Sequence, residues 1–433
     1  MSDLREDPMF RQLLAAQRLS RRGFIRGGAS VAGAGALAAC GTKGTKSAGT
    51  GEVPATSGAA GAPTSGAAGA TSGGPVATTA AAVPTYPDKS ATDKKVNWSN
   101  WPLYIDIAAK GKGHPTIDAF TKATGIKVTY TEDVNDNDEF FGKVKPQLSS
   151  GQDTGRDIIT LTDWMAGRLI RLGWVEKLDK TKIPNAANLI ASLATPGFDP
   201  TRDYSLPWQS GMTGIAYNSK ATGGVKVETI DQLLTDKKLK GKVTALTEMR
   251  DTMGLILLSM GKDPANFTDD DFGAGIDKLQ KAVSDGQIRQ FTGNDYAPLL
   301  GKGTVAACIA WSGDVIQLQS DNKSIQFVTP DTGSMLWADN MMIPQKAQHR
   351  ANAEQLMNYY YQPEVAAAVA DYVNYICPVK GAQEAMVKLD KPAASNPLIF
   401  PSAAVLAKTH IFKALTTAQE TSYNTMFTKV TGA

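Results

Sequence analysis

From Lys95 onward, short apolar runs alternate with stretches in which apolar residues recur every three or four positions. The runs read as buried strands and the stretches as amphipathic helices, which is the pattern of an α/β fold. Lys95–Trp98 predicts a strand, with a turn over Asn100-Trp101-Pro102-Leu103-Tyr104. His114–Thr124 predicts a helix closed by Gly125, Ile126–Tyr130 a strand, Glu139–Leu148 a helix and Asp157–Leu161 a strand. Asp163–Leu172 predicts a helix with Asp163 as N-cap and Gly173 at its end. Tyr204–Tyr217 reads as extended chain leaving this first group. A second group follows: strand Lys242–Leu246, helices Asp251–Met260 and Asp269–Val283, and strands Ile288–Phe291, Thr304–Ala310 and Ile325–Val328. The apolar Trp337–Ile343 segment then precedes helices within Ala353–Tyr375. No internal repeat is visible.

The first 92 residues depart from this pattern. Ser20-Arg21-Arg22-Gly23-Phe24-Ile25 is a twin-arginine signal, followed by a Gly/Ala/Val stretch from Gly27 to Ala36. Leu37-Ala38-Ala39-Cys40 resembles a lipobox, in which Cys40 is acylated and becomes the new N-terminus. The expected product is a Tat-exported lipoprotein whose anchor holds it at the extracytoplasmic face of the membrane. From Gly41 to about Ala91 the chain is mostly Gly, Ala, Ser, Thr and Pro with no aromatic residue before Tyr86, which predicts a disordered tether. About 50 such residues reach about 40 Å.

Charge changes the picture once the signal is set aside. The formal charge is +3, and residues 1–39 hold six arginines against three acids, so six minus three accounts for all of it. A remainder near zero offers no basic face for nucleic acid. With three histidines, His114, His349 and His410, and no HExxH, GxSxG or P-loop, the sequence gives no enzyme motif, and no cofactor or metal is expected. Tyr359-Tyr360-Tyr361 does not make a ferric site, because three consecutive helical residues cannot face one ion. Cys308 lies in an apolar strand, and it and Cys377 read as two buried free thiols.

Acids and aromatics recur where strands end. Trp311 precedes Asp314, and Trp337 precedes Asp339, bracketing one crossover in which Ser312-Gly313 reads as a turn. Trp101 and Tyr104 sit in the first strand-to-helix turn, and Thr162, Asp163 and Trp164 in a later one. Glu248 and Asp251 lie three apart at the next such handover, and Tyr375 follows a long helix. Each has a plain structural reading: the acids suit a helix N-terminus and the tryptophans suit a core. Together they suit a cleft for an organic cation, since ring faces attract ammonium groups and carboxylates accept charge-assisted hydrogen bonds from them.

Asn97–Tyr104 resembles the opening strand of the spermidine/putrescine-binding proteins of bacterial ABC importers. So do Phe120–Lys127 (FTKATGIK), Asp157–Trp164, Tyr204–Asn218, Ala310–Val315, Trp337–Pro344 and Gln362–Tyr375. The resemblance implies a two-lobed type II periplasmic-binding-protein fold, each lobe a mixed sheet flanked by helices, with the ligand cleft between lobes. On that reading residues 1–39 are the signal peptide and 40–92 the lipidated cysteine and linker. Residues 93–215 with 338–383 form lobe 1, and residues 216–337 with 384–433 form lobe 2. The resemblance also implies a polyamine site at Trp101, Tyr104, Thr162, Trp164, Glu248, Asp251, Trp311, Asp314, Trp337, Asp339 and Tyr375. It implies a monomer that delivers its ligand to membrane permease subunits. Trp164 stands where these proteins often carry Tyr or Asp, and Asp314 occurs in putrescine-type members but not in all spermidine-type ones. Chain-length preference among polyamines stays open, as does a same-fold binder of a sugar or another organic cation.

Overall fold

A computed structural model of the protein describes residues 87–108 and 112–432. The twin-arginine segment, Cys40 and the linker as far as residue 86 lie outside the described residues.

Ten strands form one hydrogen-bonded sheet path. They are β1 (Lys95–Asn100), β2 (Lys127–Glu132), β3 (Ile158–Thr162), β4 (Leu206–Asn218), β5 (Val243–Leu246), β6 (Ile288–Thr292), β7 (Ala307–Trp311), β8 (Ile325–Val328), β9 (Ser334–Met342) and β10 (Thr409–His410). Their order is β2-β1-β3-β9-β4-β7-β5-β6, with β8 added to β4 and β10 to β9. β1 runs parallel to β2 and β3, and β5 parallel to β6 and β7. These are the connections expected where helices cross over between strands. β4 and β9 run antiparallel to each other and join the two parallel groups.

Two large cores lie on either side of that pair. The first gathers Val96, Trp98, Phe120 and Ile158 with the helices Arg350–Tyr360 and Pro363–Val373. A smaller cluster, including Phe140, Leu161, Met165 and Leu169, packs the helices Asn137–Ser149 and Asp163–Arg171 against β3. The second large core gathers Val243, Leu257, Phe272 and Ile309 with the helices Met249–Ser259, Asp269–Ser284 and Thr417–Thr431. All thirteen residues of β4 are buried, so the segment joining the cores is itself interior.

Packing corrects four expectations. Residues 384–400 do not accompany the second core: Met386, Ala394 and Ile399 bury themselves in the first, and only the tail from Phe412 onward joins the second. Ser312-Gly313 is no turn but the start of a helix, Ser312–Asp321. Asp163 is not an N-cap. Thr162 holds that position, and the Asp163 carboxylate turns away to accept from Ala338 N (3.0 Å) and Asn340 Nδ2 (2.8 Å). Finally, β9 begins three residues before Trp337, because Met335 and Leu336 pair with Thr213 and Met212 of β4; Trp337 and Asp339 therefore lie inside a strand.

Tyr359, Tyr360 and Tyr361 are all buried, and their hydroxyls reach separate partners: Thr116 O, Thr116 Oγ1 and Pro207 O. Cys308 and Cys377 are buried and unbonded. Burial pushes the Cys377 thiol up to about 12 and Cys308 higher still. Among the described residues no helix is long and apolar enough to cross a membrane, and no group of three or more His, Cys, Asp or Glu is placed to hold a metal ion.

Candidate functional site

All eleven side chains singled out in the sequence line one cleft of about 440 Å³. The loop after β1 brings Trp101 and Tyr104 to one wall. The end of β3 and the helix that follows supply Thr162 and Trp164. Opposite them, Glu248 and Asp251 flank the start of the helix Met249–Ser259, and Trp311 and Asp314 stand where β7 passes into the helix Ser312–Asp321. Trp337 and Asp339, two apart in β9, share one face of that strand. Tyr375 follows the helix Pro363–Val373, which Asn374 ends in a left-handed conformation (φ 61°).

Two glycines, Gly313 of the expected turn and Gly211, which carried no signal in the sequence, make this floor possible. A Cβ on Gly313 would overlap the Tyr375 ring, and one on Gly211 would lie 2.5 Å from the Trp337 ring. Trp337 and Tyr375 are neighbours (centroids 5.6 Å apart), and Tyr104 meets Tyr375 edge-on at 5.4 Å. Tyr104, Tyr375 and Trp337 are thus a connected set of rings.

The acids are held by neutral donors. Asp339 accepts from Thr162 Oγ1 (2.8 Å) and Tyr104 Oη (2.9 Å). Asp251 accepts from Trp311 Nε1 at 2.7 Å. Thr213, whose hydroxyl accepts from Trp337 Nε1 (3.0 Å), also supports Asp251. Asp314 accepts from Tyr375 Oη (2.9 Å), Tyr296 Oη (2.9 Å) and Asn294 Nδ2 (3.0 Å). Among the described residues these three carboxylates form no ion pair. Removing a carboxylate from water favours its neutral form. Desolvation accordingly raises Asp339 to about 7 and Asp251 to about 6, and it raises Asp314 as well. Glu248, desolvated beside Arg250, rises to about 8.

Arg250 and Glu420 also line the cleft and were not anticipated. The Arg250 guanidinium lies 3.9 Å from the Trp164 ring centroid and bonds to Glu420 (2.8 Å). A signal existed: an arginine between two acids in a first helical turn opposes the helix dipole and implies a specific partner. Glu420 carried no comparable signal. Nε1 of Trp101 and Nε1 of Trp164 are buried donors with no hydrogen-bond partner among the described residues.

The family model of bacterial extracellular solute-binding proteins matches residues 116–401. The chain is 30% identical over 342 residues to the putrescine-binding periplasmic protein PotF of Escherichia coli (strain K12), covering 75% of this chain and 88% of that one. It is 27% identical over 335 residues to the spermidine/putrescine-binding periplasmic protein 1 of Haemophilus influenzae, covering 77% and 90%. A solved structure assigned to a spermidine/putrescine ABC transporter of Listeria monocytogenes matches at a TM-score of 0.69 and 27% identity, covering 78% and 99%. The Tp0655 lipoprotein of Treponema pallidum, at 22% identity and a TM-score of 0.66 over 78% and 100%, shares the fold.

Proposed function

The chain belongs to the bacterial extracellular solute-binding protein family, and from that premise we propose that it captures a polyamine in the cleft and presents it to an ABC permease. Family and relatives are binding components of transport systems, not enzymes. The observation that carries the ligand class is the set of three buried carboxylates, Asp251, Asp314 and Asp339, whose partners are all uncharged. A buried carboxylate calls for a cation, and the cleft leaves that cation to the ligand. Aromatic rings between the acids suit the methylene chain of a diamine or triamine. Putrescine and spermidine, named for the relatives, both meet these terms.

The eleven lining residues are the proposed binding set, with Asp339 at one end and Asp251 and Glu248 at the other. The first lobe is built on residues 93–215 and 338 to about 400, and the second on 216–337 with the tail. The protein works as a monomer, exported by the Tat route and held to the membrane through lipid on Cys40. A Cys40→Ala variant is expected to leave the membrane fraction, and its full retention there would remove the anchor from the reading.

The unpartnered indole N–H groups of Trp101 and Trp164 support a second reading. An indole can only donate, and a fully protonated polyamine offers no acceptor. A ligand with an oxygen, either a sugar or a hydroxylated organic cation, would satisfy both donors.

A thermal-shift series on the full chain with putrescine, spermidine, spermine, ethanolamine, maltose and Fe³⁺ separates these. Binding to the folded state alone adds about 2.7 kcal/mol at a hundredfold excess over Kd. A shift with one of the polyamines and none with maltose or iron is the expected result. A shift with ethanolamine or maltose alone would transfer the case to the second reading.

A further inference from the structure

Trp164, Arg168 and Arg171 stand at i, i+4 and i+7 on one side of the helix Asp163–Arg171, which packs against β3 and β9 in the first half of the molecule. Facing them are Arg250, from the helix Met249–Ser259, and Glu420, from the terminal helix Thr417–Thr431, both seated on the second core. Glu420 is buried, and its carboxylate faces three guanidinium groups. It lies 2.8 Å from Arg250 Nη2, 3.2 Å from Arg168 Nη2 and 3.8 Å from Arg171 Nη2. Arg168 makes a further pair with Asp138 at 2.7 Å. The Arg250 guanidinium covers the Trp164 ring, and Arg168 stands 5.0 Å from the same ring.

Three of these contacts, Glu420 with Arg168, Glu420 with Arg171 and Arg250 over Trp164, cross from one half to the other at the edge of the cleft. The crossing contacts exist only while the two walls are together; Glu420, Arg250 and Arg168 are shielded from solvent enough for their attraction to escape much of the screening, whereas Arg171 is half exposed and adds less. The terminal helix is a rigid mount for Glu420: Tyr423 stacks on Phe272 at 3.9 Å, and Thr416 with Gln419 forms a capping box at its start. Separating the halves would leave Glu420 with Arg250 alone and would uncover Trp164 and Arg168 to water.

We propose that Glu420 is a closure-determining residue: with Arg168, Arg171 and the Arg250–Trp164 stack it forms a latch that favours the closed cleft before any ligand is present. The inference rests on reading the cleft as one that closes on a solute, and it adds a contribution from residues that need not touch the amine. Affinity for a ligand that binds only the closed form scales with the fraction already closed. The latch therefore raises affinity for every ligand by one common factor and leaves the ranking of polyamines to the aromatic and acidic walls.

The test begins without ligand. Spin labels at Ala123→Cys and Ala274→Cys, exposed positions on a helix of each half, report the distance between halves in the full chain carrying Cys40→Ser. Glu420→Gln keeps the shape of the side chain and removes its charge. It is expected to move the ligand-free distance distribution to longer values, and to weaken putrescine and spermidine alike, on the order of tenfold. Arg168→Gln should do the same, and the double variant should be little worse than either single, because both remove one interaction. An unchanged distance distribution in Glu420→Gln overturns the proposal. So does a loss of affinity confined to one amine, which would make Glu420 a ligand contact. If no polyamine binds the parent chain, the distance measurement still decides the latch on its own, while the polyamine reading falls separately.

Discussion

Asp339 keeps its carboxylate between two hydroxyl groups, with Asp163 and Asp251 close enough to oppose its charge further. In the unfolded chain this acid titrates near 3.8, and in the folded one near 7. Between those values the folded molecule holds a proton that the unfolded chain has lost. Its contribution to stability is therefore present below about pH 4 and is lost as the pH rises through about 7. A bound ammonium reverses the preference by stabilising the ionised form. Putrescine affinity should accordingly rise from pH 5 to 8, and calorimetry in two buffers at pH 6 should register proton release on binding. Affinity that falls over that range would contradict the assignment. Asp339→Asn should weaken binding by on the order of 2–5 kcal/mol, the cost of truncating one partner of a desolvated charge pair, and should flatten the pH dependence. A loss smaller than tenfold would take Asp339 out of the site. Gly313 offers a different test at the same scale. Gly313→Ala pushes a methyl group into the Tyr375 ring, whereas a Cβ on Gly142, in the helix Asn137–Ser149, meets nothing within 4 Å. By thermal melting, the first should cost about 1–3 kcal/mol as overpacking, and the second should stabilise by about 0.5–1 kcal/mol through helix propensity.

At the scale of elements, what the chain disclosed follows from local pattern. The alternation of apolar runs and amphipathic stretches located β1 to β9 to within a few residues, because most strands, though not the edge strand β2, are buried by their own sequence. Most of the eleven cleft residues were legible for a similar reason, an acid or ring at the end of an apolar run; Trp337 and Asp339 lie inside β9 and Tyr375 follows a helix, yet all eleven line one cavity. What stayed hidden depends on partners distant in sequence. Asp163 looks like a cap until β9 offers it Ala338 N and the Asn340 amide. Ser312-Gly313 looks like a turn until Tyr375 explains why a helix begins on a glycine. The tail lacked any strong signal, although Tyr423, Phe427 and Val430, spaced four and three apart, are the buried side of its last helix. Glu420 could not have been found, since it is an ordinary exposed-looking acid until three arginines converge on it.

The molecule as a whole is organised by its order of assembly as much as by its halves. β3 takes its second neighbour from β9, well over a hundred residues later, and the first core is completed by helices beyond residue 350. The second core in turn waits for Leu415, Tyr423, Phe427 and Val430. A ribosome that has released three hundred residues has finished neither half, and the open edge of β3 is still a site for wrong pairing. Nascent chains usually settle domain by domain from the N-terminus; here both halves reach completion together, within the last hundred residues. Stopping translation before residue 400 yields no half-molecule with a sealed interior, and stopping before the tail leaves the second core open, so the quality of this protein is decided late in its synthesis.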